Sequence, residues 1–146
     1  MDLAPIRHEY VLSVPPQDAF DAYVEHIGQW WDPSYSPDAD GYRGLTIEPS
    51  VGGRVYLVDA SMGEVVWGEV LEIEPGALVV HTSSLGQDRA HPSRVSVRFV
   101  PLDGGGTRVE FEHGGWSADN AGYRHKFTDW PVMLDRYAAF VATAPT

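Results

Sequence analysis

Histidine is the side chain best suited to moving protons near neutral pH. This 146-residue chain carries six: His8, His26, His81, His91, His113 and His125. No two stand four apart, so the paired helical imidazoles of a zinc protease are excluded. Cysteine is absent, which removes thiolate nucleophiles, disulfides and cysteine-based zinc sites. His113-Gly114-Gly115-Trp116 has the form of an esterase oxyanion loop, but no Gly-x-Ser-x-Gly nucleophile elbow accompanies it. Gly104-Gly105-Gly106 lies between two strand patterns rather than at a strand-to-helix turn, so it does not cradle a phosphate. Tyr10, Tyr56, Glu69 and His81 could serve as general acids or bases. Strand alternation does not bring them to one face: Glu69 reads as an outward carboxylate and His81 as a solvent-side imidazole. No metal and no cofactor is expected.

The aromatic residues form the other chemically informative set. Trp30, Trp31, Trp67, Trp116, Tyr123, Phe127 and Trp130 fall on helices, strand ends and loops. Tyr10, Phe99 and His113 stand at inward positions of strands. Such side chains give large contact areas, and Trp and Tyr add a polar tip that can orient a ligand. They serve equally well to fill a small core, and spacing alone leaves both readings open.

These residues need elements to position them. Ile6, His8, Tyr10, Leu12 and Val14 share one parity and predict a half-buried strand, closed by Pro15-Pro16. Phe20, Tyr23, Val24 and Ile27 recur at helical spacing, with Gly28 as the expected stop. From Leu45 to His113 the period becomes two. Six strands are expected, in GLTIE, GRVYLVD, EVVWGEVLEIE, ALVVHTS, SRVSVRFVPL and TRVEFEH. Val95, Val97, Phe99, Val109, Phe111 and His113 face inward, and Arg94, Ser96, Arg98, Arg108, Glu110 and Glu112 face water. Matching inward parities sets Leu12 opposite Val109, Tyr10 opposite Phe111 and His8 opposite His113, which would bring two imidazoles together. Tyr123, Phe127, Trp130, Leu134, Tyr137 and Val141 form a sustained helical stripe. It keeps phase across Pro131, which favours one bent helix over a fresh start capped by Thr128 or Asp129. In the doublet Trp30-Trp31, Trp30 continues the first helical stripe into the core. Trp31 is then expected at a cavity mouth, partly exposed.

Composition bounds the partners. The formal net charge is −11 and Lys126 is the single lysine, a balance that repels phosphate backbones and anionic headgroups. Neither nucleic acid nor membrane is expected as a partner. The first residues show no basic leader followed by an apolar run, so no signal peptide is expected. With cysteine absent as well, the expected location is cytoplasmic. One domain is expected over 1–146, with its core over about 6–141.

Four stretches in order, SVPPQDAFDAY…GQWWDP, PSVGGRVYL, GEVLEIEPGALVVHT and DWPVMLDRYAAFV, resemble the START-like (SRPBCC) helix-grip proteins. More narrowly, they resemble the branch named after activators of the heat-shock protein 90 ATPase. Trp130-Pro131 departs from the Gly-Trp and helix former common in that branch. The resemblance implies an α+β helix-grip fold: an antiparallel curved sheet of about seven strands around a long C-terminal helix, with a short helical excursion after the first strand. It also implies a cavity between helix and sheet for a small apolar or aromatic molecule. The ten aromatic and histidine residues named above are the candidates to line it. The alternatives are a cyclase- or hydrolase-like enzyme using the same pocket, or a chaperone-regulating or protein-interaction module, including a homodimer.

Overall fold

A computed structural model describes residues 2–143. Strand β1 covers Ile6–Leu12, and helix α1, Pro16–Val24, follows the Pro15-Pro16 break. A single helical turn, α2 (Ile27–Trp30), and a 3-10 turn at Pro33–Tyr35 lead into the sheet. Strands β2 (Tyr42–Ile47), β3 (Arg54–Asp59), β4 (Gly63–Glu74), β5 (Leu78–Ser83), β6 (Ser93–Pro101) and β7 (Thr107–Gly114) follow. A 3-10 segment at Ala121–Phe127 precedes the last helix, α3 (Trp130–Thr143). All six expected strands form, and the seven-stranded antiparallel sheet runs β1-β7-β6-β5-β4-β3-β2. This is the helix-grip arrangement that the resemblance implied. No helix of the described residues is long and apolar enough to cross a membrane.

Alternation decides the faces of the sheet. Val95, Val97, Phe99, Val109, Phe111 and His113 are buried, while the even-numbered Arg94, Ser96, Arg98, Arg108, Glu110 and Glu112 meet water in whole or part. Behind that face sits an aromatic core. Tyr23 lies with ring centroids 5.4 Å from Trp30 and 5.5 Å from Tyr137, and Phe20 packs edge-on to Phe99 at 5.5 Å. A buried Trp or Tyr usually finds a hydrogen-bond partner for its polar tip. Tyr137 donates to the Ala19 carbonyl at 2.7 Å, and Trp30 Nε1 donates to the Ala22 carbonyl at 2.9 Å. α1, α2 and α3 are stitched together through backbone carbonyls of α1. Burial raises the pKa values of Tyr23 and Tyr137, keeping both phenols un-ionised.

The structure corrects three expectations. Gly28 does not stop a helix; it lies inside α2, and α1 has already ended at Val24. Its role is close approach, because a Cβ there would stand 2.8 Å from the Leu45 carbonyl oxygen and 3.0 Å from its nitrogen. Gly28→Ala is expected to push α2 off β2 at a cost of about 1–3 kcal/mol, read from urea unfolding.

The β1–β7 register places Ile6, not His8, opposite His113, with His8 opposite Phe111 and Tyr10 opposite Val109. The expected pairing is displaced by two residues, a slip that preserves every inward parity. His8 therefore stacks near Phe111, at 6.4 Å, and the two imidazoles are not cross-strand partners.

The C-terminal stripe is not one bent helix. It breaks into the 3-10 segment and α3, which starts at Trp130 with Pro131 in its first turn. There the missing proline N–H is harmless, since the first helical donors have no partner within the helix.

Candidate functional site

α2 is too short to hold its own end. Its last carbonyls have no intrahelical partner, and Arg136, reaching from α3, supplies one. Its Nε donates to the Trp30 carbonyl at 2.7 Å and its terminal nitrogen lies 3.4 Å from the Trp31 carbonyl. The Asp32 N–H meets Met133 Sδ at 3.2 Å, and the Asp32 carboxylate accepts from the Ser34 N–H and hydroxyl. Those Ser34 hydrogen bonds hold the Asp32 pKa below the usual carboxylate range. The chain at Trp31 turns extended, with ψ at 133°, and its ring stands 6.5 Å from that of Trp30, tilted by 45°. Arg136→Met is expected to lower stability by about 1–2 kcal/mol in urea unfolding. It should also broaden the tryptophan emission as the Trp31 turn loosens.

Trp67 arrives by a different device. In β4, Val55 pairs with Gly68 and Tyr56 with Val66, so Trp67 is the extra residue of a β-bulge. The bulge breaks the alternation and lets both Trp67 and Val70 be buried on one strand. The Trp67 carbonyl is then free to accept the Ser84 N–H at 2.8 Å, pinning β4 to the loop after β5.

Between these elements lies a hollow of about 350 Å³. Its aromatic wall is Trp31, Trp67, Phe127 and Trp130, with Met133 and Leu85 beside them. Ser34, Tyr35, Ser36 and Pro37 form one side, and Ser83, Gly86, Lys126 and Asp129 complete the lining. The Trp31 ring stands 5.8 Å from Trp67 and 6.4 Å from Trp130. Two other hollows, of about 390 and 460 Å³, are larger but lined mainly by charged and polar side chains. The aromatic hollow is the one suited to a ligand, because apolar walls with a few polar groups are what small-molecule sites require.

A buried polar chain stands behind this wall. Trp130 Nε1 donates to His113 Nδ1 at 2.9 Å, and His113 Nε2 lies 2.6 Å from Ser93 Oγ. An indole N–H can only donate, so Nδ1 is the acceptor and the imidazole proton sits on Nε2, donating to Ser93. Ser93 in turn reaches the Ser83 carbonyl at 3.2 Å. Burial lowers the His113 pKa to about 3, helped by repulsion from His81 and Arg124. Phe127 and Trp116 close on the imidazole at 4.6 and 4.7 Å. His81 is not the solvent-side residue expected from the sequence. It is 1 % exposed, its Nδ1 meets the Thr82 carbonyl at 2.8 Å, and burial pushes its pKa down to about 4.

Of the ten candidates, Trp31, Trp67, Phe127 and Trp130 meet at the hollow. The other six stand elsewhere. Trp30 and Phe99 belong to the aromatic core, and Tyr10 donates to Asp135 on α3 at 3.1 Å. His113 and Trp116 lie behind the wall, with Trp116 Nε1 donating to the His113 carbonyl at 2.9 Å. Tyr123 lies under the Lys126 ammonium, 5.1 Å from it. Trp31 is 4 % exposed, not the half-open mouth residue expected, and it forms wall rather than rim.

Several residues of the site carried little signal in the sequence. Tyr35 sits in a stretch that reads as a connection; its hydroxyl points to Asp129 at 3.5 Å, and desolvation and that carboxylate raise its pKa. Met133 and Asp129 flank the helical stripe without belonging to it. Ser93 and Arg136 act only through distant partners.

A search of curated proteins finds no match. Among solved structures, protein MLL2253 from Mesorhizobium loti is 22 % identical with a TM-score of 0.71, covering 98 % of this chain and 100 % of that one. An HSP90 activator from Plasmodium falciparum, PFC0360w, is 18 % identical with a TM-score of 0.71, covering 94 % and 96 %. An anthrahydroquino-gamma-pyrone synthase, Txn09, solved in a complex, is 29 % identical with a TM-score of 0.62, covering 94 % and 97 %. Residues 13–142, from just after β1 to one residue short of the end of α3, match the family described as Activator of Hsp90 ATPase homolog 1-like protein, and the chain belongs to that family.

Proposed function

We propose that this protein binds a small, largely aromatic molecule in the hollow walled by Trp31, Trp67, Phe127 and Trp130. The observation that carries this reading is the convergence of four aromatic rings from four separate elements on one space of about 350 Å³. Binding follows from desolvating a flat apolar surface against those rings. The large apolar side chains that remain exposed, such as Val11, Val51, Met62 and Val132, are spread over separate elements. That spread favours a ligand in the hollow over a protein docked on an apolar face.

The test is native mass spectrometry of protein purified from its own source, joined to a thermal-shift panel of two- and three-ring aromatics. A ligand present at a hundredfold its Kd is expected to stabilise the fold by about 2.7 kcal/mol. Trp67→Ala is expected to abolish that gain. No co-purified ligand, together with an unmoved melting temperature across the panel, overturns the reading.

A second reading rests on the similarity to the synthase, which favours an enzyme using the same hollow. Tyr35 and Asp129 are the pair at its wall able to move a proton. Recovery of the bound molecule chemically changed, with the change lost in Tyr35→Phe, selects the enzyme; recovery unchanged selects the binding protein.

A further inference from the structure

Among the described residues, seven polar or charged ones are at most 2 % exposed. Asp59, His81, Ser93, Thr107, His113 and Asn120 each hold at least one hydrogen bond through the side chain. The seventh, Ser83, holds none through its hydroxyl; the Ser93 hydroxyl reaches only its carbonyl, at 3.2 Å. Ser83 is also the one of the seven that lines the aromatic hollow.

The ladder fixes where its hydroxyl points. Ser83 stands directly opposite Ser93 in the β5–β6 pair, and opposed residues put their side chains on the same face. Ser93 Oγ meets His113 Nε2 at 2.6 Å inside the molecule, so both serines point inward. The Ser83 main chain is taken up in the sheet, and what it presents to the hollow is its side chain, a methylene and a hydroxyl. The oxygen is not sealed. Among the described residues, the side-chain atoms both closed off and unpartnered are His8 Nε2, Trp31 Nε1, Asp59 Oδ2 and Trp67 Nε1. Ser83 Oγ, equally without a partner, is not one of them, so it keeps accessible surface.

The other polar groups of the lining are already served. The Ser34 hydroxyl donates to Asp32, the Ser36 hydroxyl to the Pro33 carbonyl, and the Tyr35 hydroxyl points to Asp129. Lys126 and Asp129 are exposed to solvent. A polar atom brought against Ser83 therefore gains more than one left at the rim, because a buried polar group without a partner is costly. A serine hydroxyl is one donor with two lone pairs, and another hydroxyl can meet it in either sense.

Resting on the binding reading above, we infer that Ser83 orients the ligand, and that the ligand is a flat aromatic carrying a hydroxyl at the end that enters the hollow. Hydrocarbon aromatics of the same outline leave the serine unmet.

The test is a cycle of changes across protein and ligand, with 2-naphthol and 2-methylnaphthalene as probes on the full chain. The two share an outline and differ by a hydroxyl in place of a methyl. Ser83→Ala is expected to weaken 2-naphthol roughly tenfold, the worth of a buried hydroxyl left unmet, and to hold 2-methylnaphthalene within about twofold. Without ligand, Ser83→Ala is expected to keep the urea midpoint of the unchanged protein, since no internal hydrogen bond is lost. Ser93→Ala, which breaks the link to His113, lowers it. A lowered midpoint in Ser83→Ala shows a hydroxyl already used by the protein and overturns the assignment. Equal loss for both probes, loss for neither, or failure of 2-naphthol to bind where 2-methylnaphthalene does also overturns it and leaves the binding reading standing. If neither probe nor the wider aromatic panel binds, the binding reading falls and takes this inference with it.

Discussion

His113→Ala is expected to lower stability by about 3–5 kcal/mol, read as a fall in the urea midpoint with little change in slope. The size follows from the chain through the imidazole. Its loss strips the Trp130 indole of its acceptor and the Ser93 hydroxyl of its donor. Ser93 and His113 are 1 % and 0 % exposed, so water does not readily replace the ring. The void itself adds to the cost, since Phe127 and Trp116 pack on the imidazole from two sides. Trp130→Phe breaks one link and is expected to cost only about 1–2 kcal/mol. The double variant should then fall short of the sum of the two, because both changes remove the same hydrogen bond. Full additivity would show that the indole and the imidazole act independently.

Acid is expected to destabilise the protein well above the pH at which carboxylates titrate. Burial holds His81 near 4 and His113 near 3, while both ordinarily titrate near 6.5 once unfolded. Between those values the unfolded chain carries protons that the native chain refuses. Stability is fully present above pH 6.5 and is lost as pH falls towards 4. Each imidazole contributes a slope that approaches about 1.4 kcal/mol per pH unit, so the pair gives roughly 3 kcal/mol between pH 6.5 and 5. The lowered carboxylates Asp32, Glu48, Asp59 and Asp88 have the same sign but act only further into the acid. Relief of self-repulsion in a chain of net charge −11 works the other way, and salt screens it. The measurement is urea unfolding at high salt from pH 7 to 5. His81→Phe should halve the slope, and a flat profile in the unchanged protein would show that the imidazoles are not held neutral.

Both expectations concern residues whose partners are far away in sequence, and this marks the limit of what spacing reveals. A period of two told which residues of β6 and β7 face inward, and the structure agrees at each of the six inward positions. The same period could not choose a register. Sliding β1 by two residues leaves every side chain on its original face, so Ile6 rather than His8 came to stand opposite His113 without violating any pattern. His81 shows a related gap. Its parity matches buried and exposed placements equally until β4 and β6 are laid on either side of it.

The candidate site was half legible for similar reasons. Large aromatics at strand ends and on the last helix pointed to an aromatic-walled space, and four of the ten candidates line it. Alternation placed Trp67 in a regular strand; a bulge, which pattern does not reveal, turned its ring into the wall.

Local spacing in the sequence alone determined the seven strands, the inward faces of β6 and β7 and the burial of Trp30, because those depend on periodicity within single elements. Tertiary structure alone decided the register, the buried imidazole chain and the position of Trp31. These depend on contacts between distant segments, such as Arg136 holding the Trp30 carbonyl across a separation of 106 residues. A single element's pattern carries no record of which atom will meet it from the other end of the chain.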